Sequence, residues 1–253
     1  GAATVHYHRG TLPRKPIAGW GLWRISAGGW LLLAWAGVLI GGGALTELAA
    51  RNRERTLRHD LTSRAQLAVA ALDLDLLPAL SASTNDLARP DYRQLKQRLI
   101  ALRQANADCR FVYLLKLQPD HALFFADSEP PESKDYSPPG EVDEASPAAL
   151  ASLRRGEVRV TGMVRDRWGI WVSSFVPIGA APGRDPLAVL GYDVDARHWG
   201  RQIAQARLVP VTGTLLLSLL LLSISIGYQK ATTGAAQLTA SEQRYRQMFE
   251  SNP

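Results

Sequence analysis

Apolar residues are concentrated in two long runs near the ends of the chain. The first, "WLLLAWAGVLIGGGALTEL", carries no charge before Glu47, and the second, "LVPVTGTLLLSLLLLSISIGY", carries none. A helix needs roughly 20 mainly apolar residues to cross about 30 Å of hydrocarbon, and buried core helices seldom stay uncharged for so long. The pattern therefore predicts two transmembrane helices, over residues 26–48 and 208–228.

The first apolar run has the properties of a permanent anchor rather than of a cleaved signal peptide. It is longer than an ordinary signal core, and Glu47 stands where a small-residue cleavage site is needed. Trp20, Trp23 and Trp30 lie before or at its start. Indole rings favour the headgroup level of a bilayer, so these tryptophans support a membrane boundary here.

The charged flanks of the two spans predict their orientation. Four basic residues precede the first span and one follows the second: Arg9, Arg14, Lys15, Arg24 and Lys230. Basic flanks stay in the cytoplasm, whereas long segments are translocated largely regardless of their charge. We therefore expect a two-pass protein of the cytoplasmic membrane, with residues 49–207 extracytoplasmic and with residues 1–25 and 229–253 cytoplasmic.

Beyond the first span the apolar positions keep a helical period. Leu61, Ala65, Ala68, Leu72 and Leu76 recur at this spacing, which predicts a buried stripe and a membrane helix that continues outward to about residue 80. A second helix is predicted over residues 91–106, after Pro90, with Asp91 as a plausible cap. Its buried face is formed by four apolar residues: Tyr92, Leu95, Leu99 and Leu102.

After Asn106 the period changes to the alternation of β-strands. "RFVYLLKLQ" and "HALFFADSE" flank Pro119-Asp120, which predicts a tight hairpin. A loop rich in proline and acid follows, and then a short helix with Ser146 as cap and Pro147 at its first position. "EVRVTGMV", "WGIWVSSFVPI" and "PLAVLGYDVDA" complete five predicted strands. The fold class is α+β, an antiparallel five-stranded sheet with helices packed on it.

About residues 50–200 resemble the Cache sensor domains, which are extracytoplasmic relatives of PAS folds, so the predicted segment 49–207 of a bacterial inner-membrane protein is expected to be a Cache-like domain. The runs that carry the resemblance are "RFVYLLKLQPD", "FADSEPPESKDYSPPGEVDEAS", "DRWGIWVSSFVPI" and "AVLGYDVDARHW". They are similar to segments of bacterial membrane-bound signalling proteins that end in a histidine kinase or a diguanylate cyclase, including proteins of two-component systems. The resemblance implies a sensor domain that binds a small molecule.

The residues after the second span resemble the lead-in helix of a PAS domain. That helix has the pattern Glu-x-x-Tyr/Phe-Arg-x-x-Phe-Glu, and "SEQRYRQMFESNP" matches it at five positions: Glu242, Tyr245, Arg246, Phe249 and Glu250. We therefore expect a helical linker and the start of a cytoplasmic PAS domain over residues 229–253. The resemblance also implies a homodimer formed through the long helices.

Charge and composition point away from several other classes of protein. The 253 residues carry a net charge of +6, but a basic run outside a membrane is more simply explained by lipid headgroups than by nucleic acid. One cysteine, Cys109, cannot form an internal disulfide. Phosphate-loop, nucleophile-elbow and zinc-protease motifs are missing from the sequence, so we expect no catalytic residue, cofactor or metal site in this chain.

Candidate ligand contacts come from strand faces and from one loop. Trp171 and Ser173 share a face of one strand, Trp168 begins that strand, and Asp193 lies on the last one, where its carboxylate could hold an amine or another cation. Tyr136, in the proline-stiffened loop, is either a lid over the pocket or the packing residue of a structural loop. The resemblance adds four candidates: Tyr113, Asp127, Arg165 and Tyr192.

These observations favour a transmembrane sensor that binds an extracytoplasmic ligand and signals to a cytoplasmic kinase or cyclase. A structural reading of the aromatic face remains open, because aromatic residues at period two commonly belong to a core. A chemoreceptor with the same kind of sensor is a second possibility. A membrane-anchored extracytoplasmic enzyme is a third, disfavoured by the lack of a nucleophile, base and orienter at usable spacing.

Overall fold

The computed structural model describes residues 27–143, 145–181 and 183–250. The basic N-terminal tail, Trp20, Trp23 and the final Asn252-Pro253 lie outside the described residues, and so do the side chains of Phe249 and Glu250. The chain divides into two compact units. One comprises residues 42–213, and the other contains the described outer parts of the two terminal helices.

Two long helices carry the apolar runs. Helix α1 spans Ala27–Ala70 and helix α4 spans Ala196–Glu250. By length and composition, each is long and apolar enough to cross a membrane. Their apolar side chains are exposed, as at Ile40 (74% exposed) and Val209 (81% exposed). Exposed leucine and isoleucine side chains in such number are expected where lipid replaces water as the solvent.

Four of the five residues of the predicted stripe are buried in the core, namely Leu61, Ala65, Ala68 and Leu72, and the fifth, Leu76, is partly buried against it. The predicted end of this helix near residue 80 is wrong, because α1 ends at Ala70 and a 3-10 helix follows over Leu74–Ala79. The bonding changes to the 3-10 type at Leu72, whose N–H donates to the carbonyl oxygen of Val69 at 3.1 Å, and Pro78 keeps an α-helix from resuming in the segment that follows. A second 3-10 helix, Thr84–Ala88, leads to α2 at Pro90–Gln104. Residue Asp91 lies in the first turn of α2, and the cap position belongs to Arg89.

The sheet is antiparallel, and within the described residues it has seven strands rather than the five predicted. The long strands are β1 (Cys109–Leu117), β2 (Ala122–Asp127), β6 (Ile170–Ile178) and β7 (Ala188–Asp195). Three strands have two residues each: β3 (Val142–Asp143), β4 (Arg159–Val160) and β5 (Val164–Arg165). The order is β3-β2-β1-β7-β6-β4, and β5 also pairs with β6. Helix α3, Pro147–Arg154, is capped by Ser146 as predicted.

Two local features account for the extra strands. The run predicted as one strand over residues 157–164 is split because the Thr161 hydroxyl accepts the backbone N–H of Ser173, at 3.0 Å. A side chain that replaces a backbone acceptor interrupts the ladder and leaves β4 and β5 on either side. Strand β3 forms where the acidic loop folds back along the free edge of β2. Two residues are too few to show an alternating pattern in the sequence.

The two faces of the sheet have different neighbours. Val112, Leu114 and Tyr192 belong to the core cluster that includes Leu61 and Leu95 of α1 and α2. Phe111, Tyr113, Phe124 and Trp171 form a second cluster with α3. Alternation along the strands therefore separates a helix-covered face from a more aromatic face, which holds the candidate site.

Candidate functional site

A cavity of about 40 Å³ lies on the aromatic face of the sheet. Its walls are made of aromatic rings and carboxylates, and no lysine or arginine is among the residues that line it. The lining residues are Phe111, Tyr113, Phe124, Asp127, Asp135, Ser137, Asp143, Asp166, Trp168 and Asp193. Ligand sites commonly combine apolar and aromatic walls with a few convergent polar groups, and this cavity has that character.

Tyr113 is positioned by a glycine on the neighbouring strand. It lies opposite Gly191 in the β1–β7 register, and a Cβ atom at position 191 would collide with its ring. The ring can therefore lie against β7, where its hydroxyl donates to Asp193 Oδ1 at 3.3 Å. Burial raises the pKa of the Tyr113 phenol above its usual range, and the nearby Asp193 raises it further. The phenol is thus a neutral hydrogen-bond donor to Asp193.

Asp193 is a deeply buried acid of the cavity. Its residue is 5% exposed, and its carboxylate accepts hydrogen bonds from the hydroxyls of Tyr113 and Ser173. Among the described residues no lysine, arginine or histidine forms an ion pair with it. Burial raises its pKa to about 7, and the charges of Asp166 and Asp143 add to the effect. An ionised Asp193 therefore lacks a compensating positive charge, and a cation placed beside it would supply one.

Asp127, in contrast, is already neutralised by the protein. Lys96 of α2 places Nζ 3.0 Å from Asp127 Oδ1 and donates to the carbonyl oxygen of Glu129 at 2.6 Å. The other carboxylate oxygen of Asp127 accepts the backbone N–H of Ser137 at 2.8 Å. Burial still raises the pKa of Asp127, because desolvation outweighs these favourable contacts. This ion pair connects the cavity edge to the helix-covered side of the domain.

Two further lining aspartates are also held by protein groups. Asp135 pairs with Arg110 at 2.8 Å. Asp166 Oδ1 accepts the backbone N–H groups of Trp168 and Gly169, at 2.8 and 2.9 Å, and the indole N–H of Trp171 at 3.0 Å. These contacts fix the turn that brings Trp168 over the cavity. Asp193 differs from both, because the partners of its carboxylate are the hydroxyl groups of Tyr113 and Ser173.

Polar contacts hold the loop over residues 128–141 against helix α2. Glu129 accepts from Arg103, Arg110 and the Ser133 hydroxyl, the last at 2.7 Å. Tyr136 Oη lies 3.2 Å from the hydroxyl of Tyr92, and Lys96 Nζ lies 4.4 Å from the centre of its ring. Tyr136 thus packs against α2 at the cavity edge rather than among the lining residues.

The structure brings together four of the residues predicted from the sequence and places two beside them. Tyr113, Asp127, Trp168 and Asp193 line the cavity. Ser173 hydrogen-bonds Asp193 from the neighbouring strand. Trp171 packs edge-on against Phe111, with ring centres 5.1 Å apart.

Two other predicted residues lie elsewhere. Tyr192 is fully buried on the opposite face of the sheet, among the residues covered by α1 and α2, because it is one position away from Asp193 in a strand. Arg165 lies exposed on the short strand β5. Neither side chain is among the residues that line the cavity.

The sequence did not single out six of the lining residues. Phe111 and Phe124 could have been found by period two, since Phe111 precedes Tyr113 by two positions and Phe124 lies on the hairpin strand that pairs with β1. Asp135, Ser137, Asp143 and Asp166 come from loops or a two-residue strand, where alternation gives no signal. Across the described residues no group of three or more His, Cys, Asp or Glu is arranged to hold a metal ion.

Comparison with known proteins gave similarity to solved structures only. No protein-family model and no curated protein matches the chain. The ligand-binding domain of the Campylobacter jejuni chemoreceptor Tlp3 in complex with 4-methylisoleucine is similar with a TM-score of 0.43 and 14% identity, over 66% of this chain and 62% of that one. The Tlp3 sensory domain with isoleucine bound gives 0.42 and 14%, over 67% and 66%.

The Tlp3 sensory domain described without a ligand gives a TM-score of 0.44 and 14% identity, over 68% of this chain and 67% of that one. The chain thus spans less than two thirds of the length of the first of these structures. We draw no functional conclusion from similarity of this size.

Proposed function

We propose that this chain is a membrane-anchored sensor that binds a small organic cation against Asp193. The observation that carries this proposal is the environment of that carboxylate, which is buried, faced by aromatic rings and bonded to hydroxyls alone. A bound ammonium group would supply the missing positive charge. The faces of Tyr113, Phe124 and Trp168 are suited to a cation, because the ring quadrupole attracts positive charge.

The lining chemistry disfavours anionic ligands. Five aspartates line the cavity. Two of them, Asp127 and Asp135, form ion pairs with Lys96 and Arg110. Asp193 has no such cationic partner among the described residues, so the lining would repel a carboxylate or phosphate. An α-amino acid would bring its own carboxylate into a space that has no lining lysine or arginine to receive it. We therefore favour amines without a carboxyl group next to the ammonium.

The size of the cavity limits what fits without movement. About 40 Å³ is somewhat more than the share of liquid volume of a water molecule, so it receives an ammonium head rather than a whole metabolite. A larger ligand needs the 128–141 loop to move outward. The hydrogen bonds of Glu129 and Tyr136 hold this loop and would have to break or rearrange. Ligand binding would in this way alter how the loop is fastened to α2.

The path from the site to the membrane helix is short. Asp193 lies on β7 three residues before Ala196, where α4 begins, and α4 carries the second apolar run without interruption. A small displacement of β7 would shift the start of α4. A ligand changes such an equilibrium only through its different affinity for the two states, and each tenfold difference supplies about 1.4 kcal/mol.

The remaining organisation belongs to the same proposal. Residues 26–48 and 208–228 cross a bacterial inner membrane, residues 49–207 form the extracytoplasmic sensor, and both termini are cytoplasmic. Lys230, after the second span, supports this orientation. The signal would pass as a piston, tilt or rotation of α4 to a cytoplasmic PAS module and a kinase or cyclase, in a homodimer formed through the long helices.

A thermal-shift screen of the full chain in detergent tests the ligand class. The panel compares methylammonium, ethylammonium and 1,4-diaminobutane with ethanol, acetate and glycine. The proposal expects the cations to raise the melting temperature and the neutral and anionic compounds to leave it unchanged, since a ligand stabilises only the state that binds it. A panel in which acetate stabilises and no cation does would contradict it.

A further inference from the structure

A second cavity, of about 180 Å³, lies on the helix-covered face of the sheet. Leu57 of α1 and Trp199 of α4 form part of its wall. The cavity therefore lies between α1, which enters the domain, and α4, which leaves it. At one end Arg53 donates to the side chain of Gln202. At the other, Asp108 lies 3.3 Å from Arg64 and 3.6 Å from His198.

The Arg53 end lies close to the apolar parts of both helices. At 1.5 Å per residue, Arg53 is about 8 Å beyond Leu48 along α1, and Gln202 is about 9 Å before Leu208 along α4. Leu48 and Leu208 are exposed, at 52% and 61%. The headgroup layer on each side of a bilayer is roughly 5–8 Å thick. If the apolar runs span the membrane, Arg53 and Gln202 lie at the outer edge of the headgroups.

Arg53 differs from three nearby arginines in its partner. Arg51 pairs with Glu47, Arg58 with Glu54 and Arg197 with Asp195, each within 3.0 Å. The guanidinium of Arg53 contacts the uncharged amide of Gln202, so its positive charge is not cancelled by a carboxylate within the described residues. Its remaining N–H groups and the amide N–H₂ of Gln202 are available to an anion.

The acids that line this cavity lie away from Arg53. Asp60 is two helical turns further along α1, roughly 10 Å from Arg53. Asp108 is held at the far end by Arg64 and His198. Arg55 and Arg201, both exposed, add positive charge near the membrane end. The potential is therefore most positive where the cavity comes nearest to the apolar runs.

We propose that the Arg53 end of this cavity binds the phosphate of an anionic phospholipid headgroup. A guanidinium can bond two phosphate oxygens in parallel, and Gln202 can donate to a third. The space of about 180 Å³ is several times that of a water molecule and admits a headgroup beside Trp199. Because Arg53 belongs to α1 and Gln202 to α4, the bound lipid joins the two helices that would carry the signal.

Native mass spectrometry of the full chain in detergent tests this proposal, with added phosphatidylglycerol or phosphatidylcholine. Wild type is expected to retain phosphatidylglycerol in preference to phosphatidylcholine. Arg53→Gln should weaken phosphatidylglycerol binding by roughly fivefold, the effect of one basic side chain near a membrane surface. The matched control is Arg55→Gln, which removes an exposed charge that does not line the cavity and should have a smaller effect.

Gln202→Glu is a second variant that keeps Arg53 and its packing but places a carboxylate against it. It should reduce phosphatidylglycerol binding as Arg53→Gln does, which separates loss of charge from loss of structure. Inorganic phosphate at millimolar concentration should not displace the lipid. Displacement by phosphate would assign the cavity to a soluble anion instead, and equal lipid binding by wild type and both cavity variants would overturn the proposal.

Discussion

The hydroxyl of Tyr113 on β1 lies 3.3 Å from the carboxylate of Asp193 on β7, across the strand position occupied by Gly191. The ring of Tyr113 fills the space in which a side chain at position 191 would stand. One small residue thereby allows the phenol to reach an otherwise uncompensated buried acid. The geometry of the cavity floor depends on this arrangement.

Gly191→Ala is expected to displace the Tyr113 ring and to destabilise the protein by about 1–3 kcal/mol, the usual cost of inserting a methyl group into a packed core. The full chain should melt at lower temperature and bind cations more weakly. Gly162→Ala is the matched control, because a Cβ there meets nothing within 4 Å. Equal melting temperatures for the two variants would show that the position of the Tyr113 ring does not depend on Gly191.

Asp193 should make stability depend on pH. Its pKa is about 7 in the folded chain against an ordinary value of 3.8, so between these limits the folded state binds more protons than the unfolded state. The contribution of Asp193 to stability is therefore present at low pH and is lost as pH rises from about 4 to about 7. Asp127 changes in the same direction and Glu129 in the opposite one.

Asp193→Asn isolates this contribution, because the other acids are common to both proteins. The free energy of unfolding of the variant should equal that of wild type near pH 4 and should be higher by a few kcal/mol at pH 8. This corresponds to a melting temperature roughly 5 °C or more above that of wild type. Thermal melts of the detergent-solubilised full chain at several pH values measure the difference. A difference that stays constant with pH would mean that Asp193 does not titrate in this range.

Tyr113→Phe removes a hydrogen bond that stabilises the ionised form of Asp193. The pKa of Asp193 should therefore rise further, and the pH at which methylammonium binding is half lost should increase by about one pH unit. Binding of methylammonium followed as a function of pH measures this midpoint. Phe and Tyr fill nearly the same space, so an unchanged midpoint would indicate that the hydroxyl does not support the carboxylate.

Breaking the Lys96–Asp127 ion pair is expected to destabilise the folded protein. Their side chains are 11% and 7% exposed, so Lys96→Met leaves a buried carboxylate without its partner and should destabilise by about 3–5 kcal/mol. Adding Asp127→Asn should recover part of that loss. Additive effects of the two changes would show that the groups act independently.

A matched control for this pair is available on the surface. Arg155 and Glu157 form an ion pair whose side chains are 60% and 52% exposed. Arg155→Met should leave the melting temperature unchanged, because exposed pairs gain little over their hydration. A loss equal to that of Lys96→Met would contradict the role given to burial.

Strong periodicity accounts for the parts of the fold that the sequence predicted. The stripe from Leu61 to Leu72 and the alternation in β1, β6 and β7 repeat often enough to identify a helix and three strands. Strands β3, β4 and β5 depend on how a loop meets the free edge of β2 and on one Thr161 hydroxyl. These are tertiary contacts with no counterpart in local sequence.

The residues of the candidate site were likewise predictable where they belong to long strands, and not where they belong to loops. Asp193 belongs to the long strand β7, so period two was enough to place it. Trp168, which the sequence placed at the start of a strand, lies in the turn before β6, which begins at Ile170. Asp135 and Asp166 reach the cavity through loop conformations set by Arg110 and by backbone N–H groups. Tyr192 differs from Asp193 by one position, which in a strand is enough to put it on the opposite face.

Calorimetric titration of methylammonium into the full chain at pH 8 tests the central claim most directly, with wild type, Asp193→Asn and the control Asp75→Asn. Asp75 is exposed and distant in sequence from the cavity residues, so its variant should bind as wild type does. The account predicts saturable binding by wild type and Asp75→Asn and at least a tenfold loss in Asp193→Asn, which should remain folded and melt no lower than wild type. Equal affinity of Asp193→Asn and wild type for methylammonium, or the absence of binding by wild type, would contradict it.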